Sequence, residues 1–221
     1  MKKYIRACFS CLFLLVSILA CSGLQIKREV TADNIFVAND PTLSISVNPE
    51  LKYIGNPNEQ GSSESIGGRR LRASLDNYCF VKSAGNRVQR SVTIQIQKTE
   101  TSYVSDFFRS VKNTIDKGVT ECGGKKFQYY TVEIYPSLKY ALTQFIADQG
   151  YTMDHGLMKV FGRIYGAREN TLVKILYFED ISQIDFLKNK NWDRPKNFTA
   201  EQYDFYVGFN ERAKAAFQVL K

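Results

Sequence analysis

The chain is short of the residues from which catalytic and metal sites are built. It has one histidine, His155, among 221 residues, whereas a zinc site needs three or four histidine, cysteine or acidic ligands at short spacings. No Gly-x-Ser-x-Gly sequence marks a nucleophile elbow. Gly67-Gly68-Arg69-Arg70 lacks the Gly-Lys-Ser/Thr ending of a phosphate loop. The sequence therefore predicts no metal and no cofactor.

The first two dozen residues carry the clearest signal in the chain. An uncharged, mostly apolar run covers residues 7–20, and it follows a positive segment formed by Lys2, Lys3 and Arg6. Positive charge, an apolar run and then a small residue are typical of a secretory signal peptide. We therefore expect residues 1–20 to be a signal peptide and the rest of the chain to be exported.

A cysteine follows the last small residue of that run. Ile18-Leu19-Ala20-Cys21 resembles the lipobox of bacterial lipoprotein precursors, over residues 1–21 alone. The resemblance implies cleavage before Cys21 and acylation of Cys21, so that lipid chains tether the protein to a membrane. Ser22, rather than an aspartate, follows the cysteine, which in a bacterium with two membranes resembles lipoproteins of the outer membrane that face the periplasm.

Two other readings of the N-terminus stay open. Cleavage after Ser22, with Ala20 as the second small residue, would release a soluble secreted protein. An uncleaved anchor is the other reading, because the stretch between Arg6 and Lys27 is uncharged and approaches the roughly 20 residues that span a bilayer.

Two cysteines remain once the N-terminal ones are set aside. Cys8 and Cys11 lie in the signal peptide and Cys21 is the acylation site, which leaves Cys79 and Cys122. An even pair in an exported protein predicts a possible disulfide, worth about 3–4 kcal/mol on the chain-entropy model. Two free, buried thiols are the alternative.

The composition predicts one folded domain behind a spacer. Hydrophobic residues make up 44% of the chain and aromatic residues 13%, enough for a globular core. Residues 21–42 are polar and mixed, and are expected to form the lipidated cysteine and its spacer, with the domain at 43–221. The net charge is +8, and most Lys and Arg residues are interleaved with acidic ones. We expect no nucleic-acid partner, because the predicted address lies outside the cytoplasm and no basic-aromatic motif appears.

The periodicity predicts an α+β domain, a mostly antiparallel sheet with helices packed on one side of it. Alternating or apolar runs predict a strand at 43–47, a hairpin with one buried and one wet face at 71–97, and strands at 126–135, 157–165 and 171–178. Helical spacing predicts helices at 102–117, at about 137–150 and from Ala200 onward. Thr199 and Gln202 form a capping box for the last helix. Residues 55–68 are rich in Gly and Ser and predict a loop.

The candidate chemical groups are few. Cys122 lies beside Lys125 and Lys126, cations that favour a thiolate, and His155 follows Asp154. Adjacent side chains on an extended backbone point apart, so Asp154 and His155 are not a dyad by sequence alone. We therefore assign no catalytic residue.

The aromatic residues suggest binding instead. Five of them fall close together, at Phe127, Tyr129, Tyr130, Tyr135 and Tyr140, and exposed tyrosines favour contacts with proteins or sugars. A buried core on both sides of the strand is the alternative. The sequence thus favours a membrane-tethered binding or scaffolding module without catalysis, its partner an envelope protein or polymer. An envelope hydrolase that uses Cys122, His155 and Asp154 is the competing hypothesis.

Overall fold

Two antiparallel sheets make up the part of the protein that a computed structural model describes, residues 26–66, 69–99, 111–137, 139–166, 168–187 and 191–220. Strands account for 52% of the residues, so this single sheet-rich domain is mostly β, not the predicted α+β. The strands are β1 Arg28–Val30, β2 Ile35–Asn39, β3 Thr42–Val47, β4 Lys52–Gly55, β5 Asn58–Ile66, β6 Arg69–Ala84, β7 Arg87–Thr99, β8 Asp116–Cys122, β9 Lys125–Ile134, β10 Gly156–Tyr165, β11 Thr171–Asp180 and β12 Phe217–Leu220. The helices in this part of the chain are α1 Ala141–Asp148 and α2 Ala200–Ala215, with a 3-10 turn at Pro195–Asn197.

The large sheet has eight strands, in the order β4-β6-β7-β11-β10-β9-β8, with β5 also paired to β6. The small sheet has the order β1-β2-β3-β12. Neighbouring strands in both sheets are antiparallel, as the hairpin patterns predict. The final strand closes the small sheet by pairing Phe217 with Val47.

Part of the predicted spacer is folded. β1 and β2 lie within residues 21–42, and β2 pairs with the predicted strand at 43–47, which is β3. Phe36 and Ala38 alternate inward and are buried against the core. The short apolar run Ile35 to Ala38 is therefore an inner strand of the small sheet, with alternate residues facing the core.

The predicted loop at 55–68 is mostly strand. β4 ends at Gly55, and β5 pairs antiparallel with β6 over Asn58 to Ile66. Backbone hydrogen bonds to β6 hold β5 in place. Because these bonds do not depend on side chains, the Gly- and Ser-rich sequence of β5 needs no alternation of apolar and polar residues. β8 is likewise a strand that its own sequence does not reveal. It includes Asp116 and Lys117, which the sequence placed at the end of a helix at 102–117. Residues 102–110 of that predicted helix lie outside the described residues.

The hairpin of β6 and β7 is confirmed, but its predicted wet face is only partly correct: Gln89 is exposed, whereas other members of that face are not. Thr93 and Gln97 are buried although the pattern placed them in solvent. Phe80 and Val92, which pair across the hairpin, point toward the small sheet. Val81 points to the opposite face, where it packs with Ile146 of α1. Both faces are therefore covered.

The helices lie on opposite faces of the large sheet, not on one side. Tyr177 and Phe178 are neighbours on β11 and so point in opposite directions. The Tyr177 ring lies 5.5 Å from that of Phe209 on α2, whereas Phe178 packs with Ile146 on α1. The predicted capping box of α2 is confirmed in both of its hydrogen bonds. The helix ends at Ala215, and β12 replaces the predicted continuation to Leu220.

Candidate binding groove

The residues of the hydrolase hypothesis are not brought together. Cys122 pairs with Lys125 at one end of β9, and Gly156, next to His155, pairs with Ile134 at the other end. At about 3.4 Å per residue along β9, the thiol and the imidazole are about 30 Å apart. The Asp154 carboxylate accepts a hydrogen bond from the backbone N–H of His155 and lies 3.6 Å from an Arg87 guanidinium nitrogen.

His155 has a partner that the sequence did not reveal. Its Nε2 lies 2.7 Å from Oε1 of Glu133, and its ring stacks on Tyr135 with centroids 4.2 Å apart. His155 is buried and Glu133 is half-buried. This pair joins the end of β9 to the turn before β10. Only the strand register places Glu133 beside His155, so no spacing in the sequence predicts the contact.

The two cysteines are free thiols, so the predicted disulfide is absent. Four strands separate β6, which carries Cys79, from β8, which carries Cys122. At about 4.8 Å per strand spacing their backbones are about 24 Å apart, far beyond the roughly 7 Å that a disulfide tolerates. Burial raises the pKa of Cys79 to about 12 and also raises the pKa of the half-buried Cys122. Neither thiol is therefore an activated nucleophile.

A buried ionic cluster lies beneath α2. The Lys159 ammonium donates hydrogen bonds to Thr131 Oγ1 at 3.1 Å and to Asn210 Oδ1 at 2.8 Å, and it lies 3.5 Å from the Asp116 carboxylate. It also lies 4.0 Å from the centre of the Tyr129 ring. Lys159 is 3% exposed, which leaves no access for a substrate. The cluster fastens α2 and β8 to the large sheet.

No metal centre accompanies these groups. Within the described part of the chain, no three histidine, cysteine or acidic side chains lie close enough together to hold an ion. None of its helices has the length and apolar character needed to cross a bilayer.

An apolar groove lies between α1 and the large sheet, and we call it the α1 groove. Its volume is about 460 Å³, within the range of small-molecule sites. Strands β7, β10 and β11 supply its floor, and the end of β9 with the segment through α1 supplies its wall. The lining residues are Ser91, Thr93, Ile134, Tyr135, Pro136, Tyr140, Leu142, Thr143, Ile146, Met153, Met158, Leu176 and Phe178.

The α1 groove is apolar and carries no charge. Its polar groups are hydroxyls and backbone atoms, and no acidic or basic side chain lines it. Tyr135 and Tyr140 are each 68% exposed and extend from the groove into solvent. Desolvation and the nearby Glu133 carboxylate raise the pKa of Tyr135, so its phenol is neutral at physiological pH.

Two hydroxyls, those of Ser91 and Thr93, lie on the floor of the groove. Thr93 is the cross-strand neighbour of Cys79, and it slightly opposes the effect of burial on the pKa of that thiol. Ser91 is only 4% exposed, and its hydroxyl makes no hydrogen bond with any residue of the described chain. The Ser91 hydroxyl is thus open to the groove and available to a ligand.

The predicted aromatic cluster divides between core and groove. Phe127 is fully buried, and Tyr129 and Tyr130 are half-buried, as expected for a sheet covered on both sides. Tyr135 and Tyr140 alone of the five are exposed, and both line the groove. Sequence reasoning missed Ser91, Met153 and Met158, because the groove is assembled from separate strands.

Comparisons of the chain with protein-family models, with curated proteins and with solved structures found no match. The function proposed below therefore depends on the chemistry of the groove and on the N-terminal sequence.

Proposed function

We propose that the protein is a lipid-anchored protein of the bacterial envelope that binds a ligand in the α1 groove and catalyses no reaction. The α1 groove carries the proposal: it is a cavity of about 460 Å³ with an apolar lining and two exposed tyrosines beside it. Such cavities with a few placed polar groups are typical of ligand sites. The signal peptide and Cys21 supply the address, a membrane surface outside the cytoplasm.

Binding is better supported than hydrolysis by the arrangement of titratable groups. A hydrolase needs a nucleophile and a base within hydrogen-bonding reach of each other. Cys122 and His155 are about 30 Å apart on the strand register, and the groove is lined by no histidine or carboxylate that could activate Ser91.

The methionines offer a direct test of binding. The chain has three, Met1, Met153 and Met158, and the last two line the groove. We expect N-phenylnaphthylamine, an uncharged apolar probe, to shift the ¹³C-methyl NMR signals of Met153 and Met158 in the full chain held in lipid nanodiscs. Thr143→Trp, which puts an indole into the groove from α1, should abolish these shifts.

The matched control is Gln144→Trp, on the next residue of the same helix. Gln144 is exposed and does not line the groove, so this variant should bind the probe like the unmodified protein. Probe binding that persists in Thr143→Trp, or an absence of shifts in the unmodified protein, would overturn the proposed site.

The address is tested in cells. A fatty-acid label should mark the unmodified protein but not Cys21→Ser, and equal labelling of both would exclude lipidation at Cys21. In a deletion strain, Gln144→Trp should restore the phenotype and Thr143→Trp should not, provided that both proteins accumulate normally.

A further inference from the structure

The ligand of the α1 groove can be assigned a chemical class, an assignment that rests on the proposed function. We infer that it is an uncharged aliphatic molecule with one neutral oxygen group, an alcohol or a ketone, which hydrogen-bonds to Ser91 on the groove floor. The inference combines an unpartnered hydroxyl, an uncharged lining and an apolar wall.

The position of Ser91 explains why its hydroxyl has no partner in the protein. Ser91 lies on β7 between Val81 of β6 and Phe178 of β11, its partners in the strand register. Both neighbours are apolar, and the residue is 4% exposed. The hydroxyl faces the groove, so the oxygen atom of a bound ligand can form a hydrogen bond with it that no protein group provides.

The uncharged lining excludes an ionised ligand group. A carboxylate or ammonium placed beside Ser91 would lose its hydration without gaining an opposite charge, which is strongly unfavourable. A serine hydroxyl both donates and accepts. It therefore suits an alcohol or a carbonyl oxygen equally, and neither requires a counter-charge.

The remainder of the lining suits a hydrocarbon. Leu142 and Ile146 face the groove from α1, and Met158, Leu176 and Phe178 face it from the sheet. Methionine adapts to irregular apolar shapes, and burying each methylene contributes to binding. An aliphatic body can thus fill the groove while its oxygen reaches Ser91.

A set of eight-carbon ligands tests the inference, with the same methionine methyl signals of the full chain in nanodiscs as readout. Octanol, octanone, octane and octanoate share one chain and differ in the oxygen group. Affinities are compared at equal free aqueous concentrations. In the unmodified protein we expect octanol and octanone to bind, and octanoate at pH 8 to bind at least about tenfold more weakly than octanol.

Ser91→Ala should weaken octanol and octanone binding about 2- to 10-fold and leave octane unchanged, as expected for the loss of one hydrogen bond. The control is Ser83→Ala, an exposed serine near the turn of the same hairpin, which should match the unmodified protein for all four ligands. A difference between octanol and octanone identifies which oxygen chemistry the site prefers.

The outcomes separate this inference from the proposed function. If octane and octanol bind equally well, or if Ser91→Ala leaves octanol affinity unchanged, the role of Ser91 is refuted while the groove remains a binding site. Octanoate binding as tightly as octanol refutes the uncharged class. If no ligand shifts the signals of Met153 and Met158, the proposed function itself fails.

Discussion

Replacing Asp116 by asparagine will destabilise the protein more than removing the lysine that it faces. Lys159 is 3% exposed, and the Asp116 carboxylate lies 3.5 Å from its ammonium with a quarter of its own side chain exposed. In Asp116→Asn the buried ammonium loses its counter-charge. In Lys159→Met the charge itself is removed, and the remaining carboxylate reaches water.

The magnitude follows from what each variant leaves behind. Breaking a fully buried ion pair from one side costs about 3–5 kcal/mol. Lys159 keeps its hydrogen bonds to Thr131 and Asn210, and Asp116 is partly solvated, so we expect a loss of about 2–3 kcal/mol for Asp116→Asn. Lys159→Met keeps the packing of the aliphatic stem and should lie within about 1 kcal/mol of the unmodified protein.

The pH dependence separates the two variants further. Burial lowers the pKa of Lys159 below its ordinary value, and the Asp116 charge partly opposes this. A lysine whose pKa is lower in the folded state than in the unfolded state adds stability as pH rises between the two values. Removal of the Asp116 charge lowers the folded pKa further, so the deficit of Asp116→Asn should shrink as pH rises toward about 10.

Urea unfolding, followed by far-UV circular dichroism and by the fluorescence of the buried Trp192, measures these free energies. The double variant should resemble Lys159→Met, because the asparagine then faces no buried charge. A larger loss for Lys159→Met than for Asp116→Asn would refute the reasoning, as would simple additivity in the double variant.

Three further predictions concern the thiols, the tyrosines and the absence of catalysis. Without reductant, mass spectrometry should find no linked cysteine peptides, and Cys122 should be alkylated before Cys79, whose pKa is about 12 and which is 1% exposed. Burial raises the pKa of Tyr177 and Tyr206 in the folded protein. In the unfolded chain these phenols ionise near pH 10, so the free energy of unfolding should fall as pH rises above about 10. Urea midpoints that stay constant above this pH would contradict the prediction. Cys122→Ala and His155→Ala, if they accumulate normally, should complement a deletion strain, and failure of either would favour the hydrolase hypothesis.

The strands and helices that the sequence predicted correctly are those whose own side chains show an apolar pattern or a capping motif. β10 and β11 contain long apolar runs, and α2 begins with a capping box that requires only Thr199 and Gln202. β5 and β8 contain Gly, Ser and charged residues and exist because a neighbouring strand offers its backbone. A period in one segment cannot reveal such pairing.

The groove was predictable only in part for the same reason. Tyr135 and Tyr140 belong to an aromatic cluster that is visible in the sequence, and both line the groove. Ser91 is one serine among many until the register places it between Val81 and Phe178. The prediction that Thr93 lies in solvent was wrong because its alternation with apolar residues on β7 suggested a wet face, whereas α1 and the groove cover that position.

The pairing of β12 with β3 has a consequence for how the chain is made. Val47 and Phe217 are partners although almost the whole domain lies between them in sequence, and contacts of such long range slow folding. The small sheet stays incomplete until Phe217–Leu220 have left the ribosome. Until β12 is in place, β3 presents an unpaired strand edge, which is a site where chains can pair with one another and aggregate.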